Sequence, residues 1–178
     1  MRDYENSFMW LADGMISSLC FNASDPSSVG LSMYLDRPTL KCYMCDTGLL
    51  VTHALMDRDG ADNSFYRDIL LDRLGVNEGM FMENIVAQML QASGNRLFYY
   101  YRSDAGNAEN NMEVDFLIRA NRKICPIEVK SSSSDSVSSL KKFHRRFPNT
   151  GQQIILYTGD VKTADGILYL PAYMAPFL

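Results

Sequence analysis

Two apolar runs decide the fold of this 178-residue chain: Met112-Glu113-Val114-Asp115-Phe116-Leu117-Ile118-Arg119 and Lys123-Ile124-Cys125-Pro126-Ile127-Glu128-Val129-Lys130. Both runs are rich in β-branched and aromatic residues, which favour strands. Side chains alternate between the two faces of a strand, so Glu128 and Lys130 should share one face. We therefore expect Asp115, Glu128 and Lys130 to converge.

This set of side chains suits metal-assisted hydrolysis of a phosphodiester. Carboxylate oxygens bind Mg²⁺ or Mn²⁺, the metal polarises the phosphoryl oxygen and helps to deprotonate water, and an ammonium stabilises the developing charge. Glu and Lys two residues apart also occur on ordinary solvated strand faces, so the spacing alone leaves both interpretations open.

The flanking sequence predicts helices on either side of these strands. One helix-period stretch runs from about Glu78 to Ser93, with Glu83 near its start and Gly94 as its stop. A second helix is predicted over about residues 136–147, and the serines of Ser131–Ser134 can supply its N-cap. The other predicted strands are Leu97–Arg102, Gln153–Tyr157 and Gly166–Leu170. The order α-β-β-β-α-β, with one further strand, predicts a mixed sheet between helices.

These elements resemble the PD-(D/E)XK nuclease superfamily, which includes restriction endonucleases and archaeal Holliday-junction resolvases. A closer similarity is to domain of unknown function 4143, which closes a large family of prokaryotic AAA+ ATPases. The phrases that carry it are Lys41-Cys42-Tyr43-Met44-Cys45-Asp46-Thr47-Gly48-Leu49-Leu50, Gly79-Met80-Phe81-Met82-Glu83-Asn84-Ile85-Val86, Tyr99-Tyr100-Tyr101-Arg102-Ser103, Glu113-Val114-Asp115-Phe116 and Pro126-Ile127-Glu128-Val129-Lys130-Ser131. The resemblance covers about Leu40 to the C-terminus, and more weakly the first forty residues.

The resemblance implies an α/β fold with a restriction-endonuclease-like αβββαβ core over residues 77–178. It also implies roles: Asp115 and Glu128 as metal ligands, Glu83 as an outer ligand or water-holder, and Lys130 as the group that stabilises the attacking hydroxide or the transition state. The implied activity is Mg²⁺-dependent hydrolysis of DNA. The alternative is a non-catalytic module that keeps the fold and binds nucleic acid or protein.

The resemblance also concerns what lies before the core. The sequence has no Gly-x-x-x-x-Gly-Lys-[Ser/Thr] phosphate loop. We therefore expect an ATPase module upstream in a longer chain. Residues 1–76 form an appendage whose helix at Tyr4–Leu11 and strand at Met15–Phe21 resemble the end of a winged-helix segment. A complete small N-terminal subdomain is the alternative. The appendage should also hold a mobile stretch near Asn22–Gly30 and a helix over about Ser64–Leu74.

Charge is unevenly distributed along the chain. The net charge is −4; residues 1–75 hold 6 Lys/Arg against 11 Asp/Glu, and residues 76–178 hold 11 against 10. This permits a local nucleic-acid groove and argues against avid nonspecific binding. The strongest basic patch lies on the second predicted helix, with Leu140, Phe143 and Phe147 as its apolar stripe. Its basic residues are Lys141, Lys142, Arg145 and Arg146, which suit either phosphate contacts or a solvated face.

Other motifs support no separate chemistry. Cys42-x-x-Cys45 lacks a partner pair for zinc, and reduced, mostly buried thiols fit a cytosolic protein better. Asp46-Thr47-Gly48 matches the aspartic-protease tripeptide but fits a strand-to-helix turn. The two histidines, His53 and His144, have no nucleophile in recognisable spacing. The loop Ser103–Asn111 either folds over the site or is mobile.

Hydropathy and termini bear on localisation. The sequence has no apolar run near twenty residues and no signal-peptide pattern. We therefore expect a soluble, cytoplasmic protein. The sequence leaves open the oligomeric state and the preferred DNA structure.

Overall fold

The computed structural model describes residues 5–27, 30–55, 78–107, 110–131 and 137–178. The described helices are α1 (Glu5–Asp13), α2 (Thr47–Leu55), α3 (Glu78–Ala92) and α4 (Ser138–Arg146), with 3₁₀ turns at Leu31–Met33 and Ala172–Phe177. The strands are β1 (Ser17–Ala23), β2 (Leu35–Met44), β3 (Phe98–Arg102), β4 (Met112–Val114), β5 (Phe116–Ala120), β6 (Lys123–Val129), β7 (Gln153–Tyr157), β8 (Lys162–Ala164) and β9 (Ile167–Pro171).

The strands form two mixed sheets. A four-stranded sheet has the order β2-β1-β3-β4, and a five-stranded sheet has the order β5-β6-β7-β9-β8. The pairs β1–β3, β6–β7 and β7–β9 are parallel, and the others are antiparallel. Since α4 connects the parallel neighbours β6 and β7, the predicted crossover helix and the mixed α/β architecture are confirmed.

Two layers of apolar side chains cover the five-stranded sheet. One cluster joins α3 to alternate strand positions, and its members include Val86, Ala87, Leu90, Phe116, Ile118, Ile127, Ile154 and Leu156. The other joins α4 to the intervening positions, and its members include Leu117, Ile124, Leu140, Phe143, Ile155 and Ile167. Burying a Leu, Ile or Phe side chain contributes about 1.5–3 kcal/mol. The two helices are therefore fixed on opposite faces of the sheet that carries the Glu-Val-Lys motif.

The first predicted helix is confirmed over Glu78–Ala92. It ends where Gly94 adopts a φ of +89°, a conformation that favours glycine. The backbone amide of Gly94 donates to the carbonyl of Gln91, and that of Asn95 donates to Leu90. These bonds satisfy carbonyls that the last helical turn leaves free, and they set the distance from α3 to β3.

The single strand predicted over Met112–Arg119 is wrong, because the run is two strands interrupted at Asp115. Strand β4 pairs with β3, whereas β5 pairs with β6. In the β5–β6 register Phe116 lies opposite Ile127. The interruption therefore marks the point where the chain passes from one sheet to the other.

Serine capping of the second predicted helix is also wrong. Helix α4 begins at Ser138, and the residue at its N-cap is Val137, whose side chain makes no capping hydrogen bond. The apolar stripe is as predicted, with Leu140 and Phe143 fully buried. Packing of this stripe, rather than a cap, stabilises the helix against the sheet.

The N-terminal elements are displaced from their predicted limits. Helix α1 extends to Asp13, and β1 begins at Ser17 because Met15 takes a positive φ of 54°. Asn22 was expected in a mobile stretch, yet it is a buried residue of β1 whose amide bonds the backbone of Tyr101 on β3. The helix expected over residues 64–74 and the boundary at 76/77 lie outside the described residues. Among the helices in the described ranges, none is long and apolar enough to cross a membrane.

Candidate active site

Lys41 lies at the centre of the main group of charged side chains. Its Nζ is 2.9 Å from Glu83 Oε1, 2.7 Å from Glu113 Oε1 and 3.7 Å from Asp115 Oδ1. Lys41 comes from β2, Glu83 from α3, Glu113 from β4, and Asp115 from the interruption between β4 and β5. We call these four residues the lysine-centred cluster. It collects acids from separate elements around one ammonium.

Burial and charge act against each other at Lys41. Burial disfavours the ammonium, but the charges of Glu83 and Asp115 and the hydrogen bonds that Lys41 donates to Glu113 and Glu83 outweigh that cost and raise the pKa of Lys41. The side chain is therefore a permanent cation at neutral pH. Its Nζ also lies 5.1 Å from the centroid of the Tyr99 ring, a cation–π distance.

Two further side chains near the cluster, those of Tyr43 and Cys20, stay neutral. The hydroxyl of Tyr43 donates to Glu83 Oε1. Burial and the neighbouring carboxylate of Glu83 raise the pKa of Tyr43, so the phenol remains a donor. Burial likewise raises the pKa of the Cys20 thiol. Neither group supplies an anion at neutral pH.

Asp115 connects the cluster to the Glu-Val-Lys strand. Its Oδ2 accepts a hydrogen bond from the backbone amide of Val129 at 2.9 Å. Burial, followed by the charge of Glu83, raises the pKa of Asp115 to about 6, although Lys41 and the Val129 amide oppose the shift. Asp115 can therefore exchange a proton near neutral pH while one of its oxygens remains fixed to β6.

Glu128 and Lys130 form a second charged pair on β6 and the residue after it. Lys130 Nζ lies 2.9 Å from Glu128 Oε2, and the Glu128 side chain is only 4% exposed. Glu128 also contributes to the raised pKa of Asp115. The structure thus brings Glu83 and Asp115 together around Lys41, and Glu128 together with Lys130. Within the described chain no ion pair joins the two groups. They are linked through the hydrogen bond from the backbone amide of Val129, which lies between Glu128 and Lys130 in sequence, to Asp115.

The carboxylates of the lysine-centred cluster are of the kind that binds a divalent cation. Carboxylate oxygens are the donors that Mg²⁺ and Mn²⁺ prefer, and Glu83 and Asp115 supply them together with Glu113. Their carboxylate oxygens are therefore suitable ligand atoms for such an ion. In the present arrangement the ammonium of Lys41 lies between them, and the described residues contain no group of three or more His, Cys, Asp or Glu placed to hold a metal.

The predicted basic patch lies on α4, apart from the lysine-centred cluster. Lys141 pairs with Asp165 at 2.8 Å, and Lys142 donates to the backbone carbonyl of Asn111 at 3.3 Å. Arg145 and Arg146 are exposed. Two arginines are therefore presented to solvent, while the lysines contact neighbouring loops.

The loop before β4 is organised around Asp104 where it is described. The Asp104 amide donates to Asn111 Oδ1 at 2.7 Å, and the Gly106 amide donates back to Asp104 Oδ1 at 3.0 Å. Asn110 donates to Asp104 Oδ2 at 2.8 Å. These bonds close the described part of the loop upon itself.

Sequence reasoning did not assign Lys41 and Glu113 of the cluster to the site, nor the neighbouring Tyr43. Lys41 and Tyr43 lie two positions apart on β2 and so share one face of the strand, which was the available signal. Their partner Glu83 is 42 positions from Lys41 in sequence. No local pattern reports that contact.

The remaining cysteine and aspartate motifs have structural roles. Cys20 and Cys125 are buried, Cys42 is exposed and Cys45 is half-buried, so the expectation of mostly buried thiols holds for only half of them. All four are free. At the predicted strand-to-helix turn, Asp46 Oδ1 accepts from the Gly48 amide at 2.7 Å beside the start of α2.

A family model described as Domain of unknown function (DUF4143) matches residues 78–173, which is more than half of the chain. The chain belongs to this family. The DUF4143 match begins at the start of α3 and ends in the final 3₁₀ turn. It includes Glu83, Asp115 and the Glu-Val-Lys motif, whereas Lys41 precedes it. No curated protein and no solved structure matches the chain.

Proposed function

We propose that this DUF4143 chain is a nuclease-like domain with a restriction-endonuclease-like core, and that it hydrolyses phosphodiester bonds of DNA with Mg²⁺ or Mn²⁺. The observation that carries the proposal is the position of Asp115. Asp115 lies at the interruption between β4 and β5. Its carboxylate accepts a hydrogen bond from the amide of Val129, the residue between Glu128 and Lys130, and it shares the ammonium of Lys41 with Glu83. The order α3-β3-β4/β5-β6-α4-β7 also agrees with the order expected of that core.

Each residue has a role in this proposal. Asp115 and Glu128 would hold the metal ion, with Glu83 as an outer ligand or water-holder. When bound, the ion would polarise the phosphoryl oxygen and lower the pKa of a water molecule. Lys130 would donate to the attacking oxygen or to a phosphate oxygen, where charge develops in the transition state.

The protonation state of Asp115 sets when the site can work. With a pKa of about 6, its carboxyl is largely ionised above neutral pH and protonated in mild acid. Its Oδ2 accepts a hydrogen bond from the Val129 amide, so a ligand or a water molecule would have to approach Oδ1, which lies 3.7 Å from Lys41 Nζ. The proposed activity should therefore fall as pH falls through about 6.

DNA would be held outside this centre. Arg145 and Arg146 are exposed on α4, and Lys142 lies beside the loop that leads into β4. Such side chains contact phosphates and position a duplex or single strand without reading its sequence. The family resemblance supports an upstream AAA+ ATPase module as the partner that delivers DNA, and a cytoplasmic location.

A second candidate function is favoured by Lys41. Its ammonium already neutralises the carboxylates of Glu83, Glu113 and Asp115, and Lys130 neutralises Glu128. A domain with these internal ion pairs can keep the nuclease fold without catalysing hydrolysis. It would then act as a non-catalytic module for nucleic acid or protein.

Cleavage and binding assays decide between the two candidates. The chain, and any longer protein that carries it together with an ATPase and ATP, would be incubated with linear, single-stranded and branched DNA in Mg²⁺, Mn²⁺ or chelator. Metal-dependent cleavage is expected. Binding of DNA without cleavage of any substrate in either metal would favour the interaction module.

A further inference from the structure

We propose that Lys41 is an internal cation that competes with a divalent metal for the carboxylates of the cluster, so that metal binding requires its ammonium to move away. The inference concerns how the proposed site is controlled, and it rests on the proposed function for the presence and the identity of the metal. It assigns a role to a residue outside the family match.

The distances support direct competition. One ammonium lies within 4 Å of carboxylate oxygens from three separate elements, at 2.9, 2.7 and 3.7 Å. An ion held by Asp115, with Glu83 as an outer ligand, would need oxygens that now face Lys41 Nζ. Since two cations close together repel each other strongly in a partly buried site, metal and ammonium cannot share this position.

The side chain of Lys41 has the freedom that displacement requires. It is 21% exposed, and its flexible stem starts from β2, whereas the carboxylates around it come from α3, β4 and the β4–β5 junction. The acids, by contrast, are held: Glu83 by Tyr43 and Asp115 by Val129.

The cost of moving Lys41 should weaken metal binding in the natural protein. A ligand that must displace an internal competitor binds with an affinity reduced by the fraction of molecules in which the competitor has left. Removing the ammonium would abolish that cost and leave three carboxylates without their counter-ion. Arginine at the same position would keep the positive charge and hence the competition.

Metal titrations of the unliganded chain test the proposal. Thermal unfolding of the wild type, Lys41→Met and Lys41→Arg would be followed against Mn²⁺ and Mg²⁺, with no DNA present. We expect Lys41→Met to reach half of its stabilisation at a metal concentration lower by on the order of tenfold. Lys41→Arg should respond like the wild type, and adding Asp115→Asn to Lys41→Met should remove the gain. A titration of Lys41→Met equal to that of the wild type would overturn this proposal alone, whereas no response to metal in any variant would overturn it together with the metal-dependent function.

A second measurement uses the wild type and so does not depend on whether Lys41→Met folds. Acetylation of individual lysines by an amine-reactive reagent would be quantified by mass spectrometry with and without Mn²⁺. We expect the metal to make Lys41 several-fold more reactive, with exposed Lys123 as the internal control. Protection of Lys41 that stays constant at Mn²⁺ concentrations that stabilise the protein would overturn the proposal. Because neither readout involves hydrolysis, an inactive nuclease would leave this result interpretable.

Discussion

Replacing Asp115 by asparagine should change how stability depends on pH, because this carboxyl is ionised at a cost in the folded protein. Its pKa is raised from 3.8 to about 6, chiefly by burial. A carboxyl whose folded pKa lies above its unfolded value stabilises the fold at low pH, and that contribution disappears as pH rises through the folded pKa. Asp115→Asn keeps the shape and an oxygen for the Val129 amide but removes the ionisation.

The size of the expected stability change follows from the shift in the pKa of Asp115. At about 1.4 kcal/mol per pKa unit, the shift from 3.8 to about 6 corresponds to on the order of 3 kcal/mol between the two pH limits. The Asp115 side chain is 21% exposed, so solvent screening should reduce this free-energy difference. We expect the free energy of unfolding of the wild type, relative to Asp115→Asn, to increase by on the order of 2–3 kcal/mol between pH 7.5 and 4.

Urea unfolding at several pH values measures this difference. Each variant would be unfolded in urea at pH 7.5, 6 and 4, and the wild-type free energy of unfolding would be compared with that of Asp115→Asn at each pH. Asp13→Asn, which removes an exposed carboxyl far along the chain from the cluster, is the matched control. A difference between wild type and Asp115→Asn that stays constant with pH would refute the assignment of a raised pKa to Asp115.

Two further predictions separate chemistry from DNA binding. Lys130→Ala should lower the single-turnover cleavage rate by on the order of 10²–10³ with little change in DNA affinity, since its contribution is made mainly in the transition state; a proportional loss of affinity would contradict that role. Lys142→Glu combined with Arg145→Glu should weaken DNA binding and flatten its salt dependence, measured by fluorescence anisotropy, while the rate of bound substrate stays nearly unchanged. A salt dependence equal to that of the wild type would place the DNA elsewhere.

Helices and strands whose own residues carry a clear pattern could be predicted from the sequence. Helix α3 was predictable because its apolar positions recur with helical spacing and Gly94 ends it. Strand β7 was predictable as a short buried run over Gln153–Tyr157, and the crossover through α4 implied a parallel neighbour. In each case the information lies in the element itself or in the elements next to it along the chain.

The features that could not be predicted depend on distant contacts. The interruption at Asp115 has no glycine or proline to signal it, and it coincides with a hydrogen bond to Val129 across the sheet. The role of Lys41 as a counter-ion has no local signal, because it arises only when α3 and β4 are folded against β2. The buried Asn22 likewise gains its partner, Tyr101, only through the β1–β3 pairing.

Metal-dependent cleavage by matched variants tests the central claim most directly. Single-turnover hydrolysis of labelled DNA would be measured in Mg²⁺ and Mn²⁺ for wild type, Asp115→Asn and the control Asp13→Asn. The proposed function predicts cleavage that requires the metal, is retained in Asp13→Asn and is lost in Asp115→Asn. Equal cleavage by wild type and Asp115→Asn, or cleavage that persists in chelator, would contradict it.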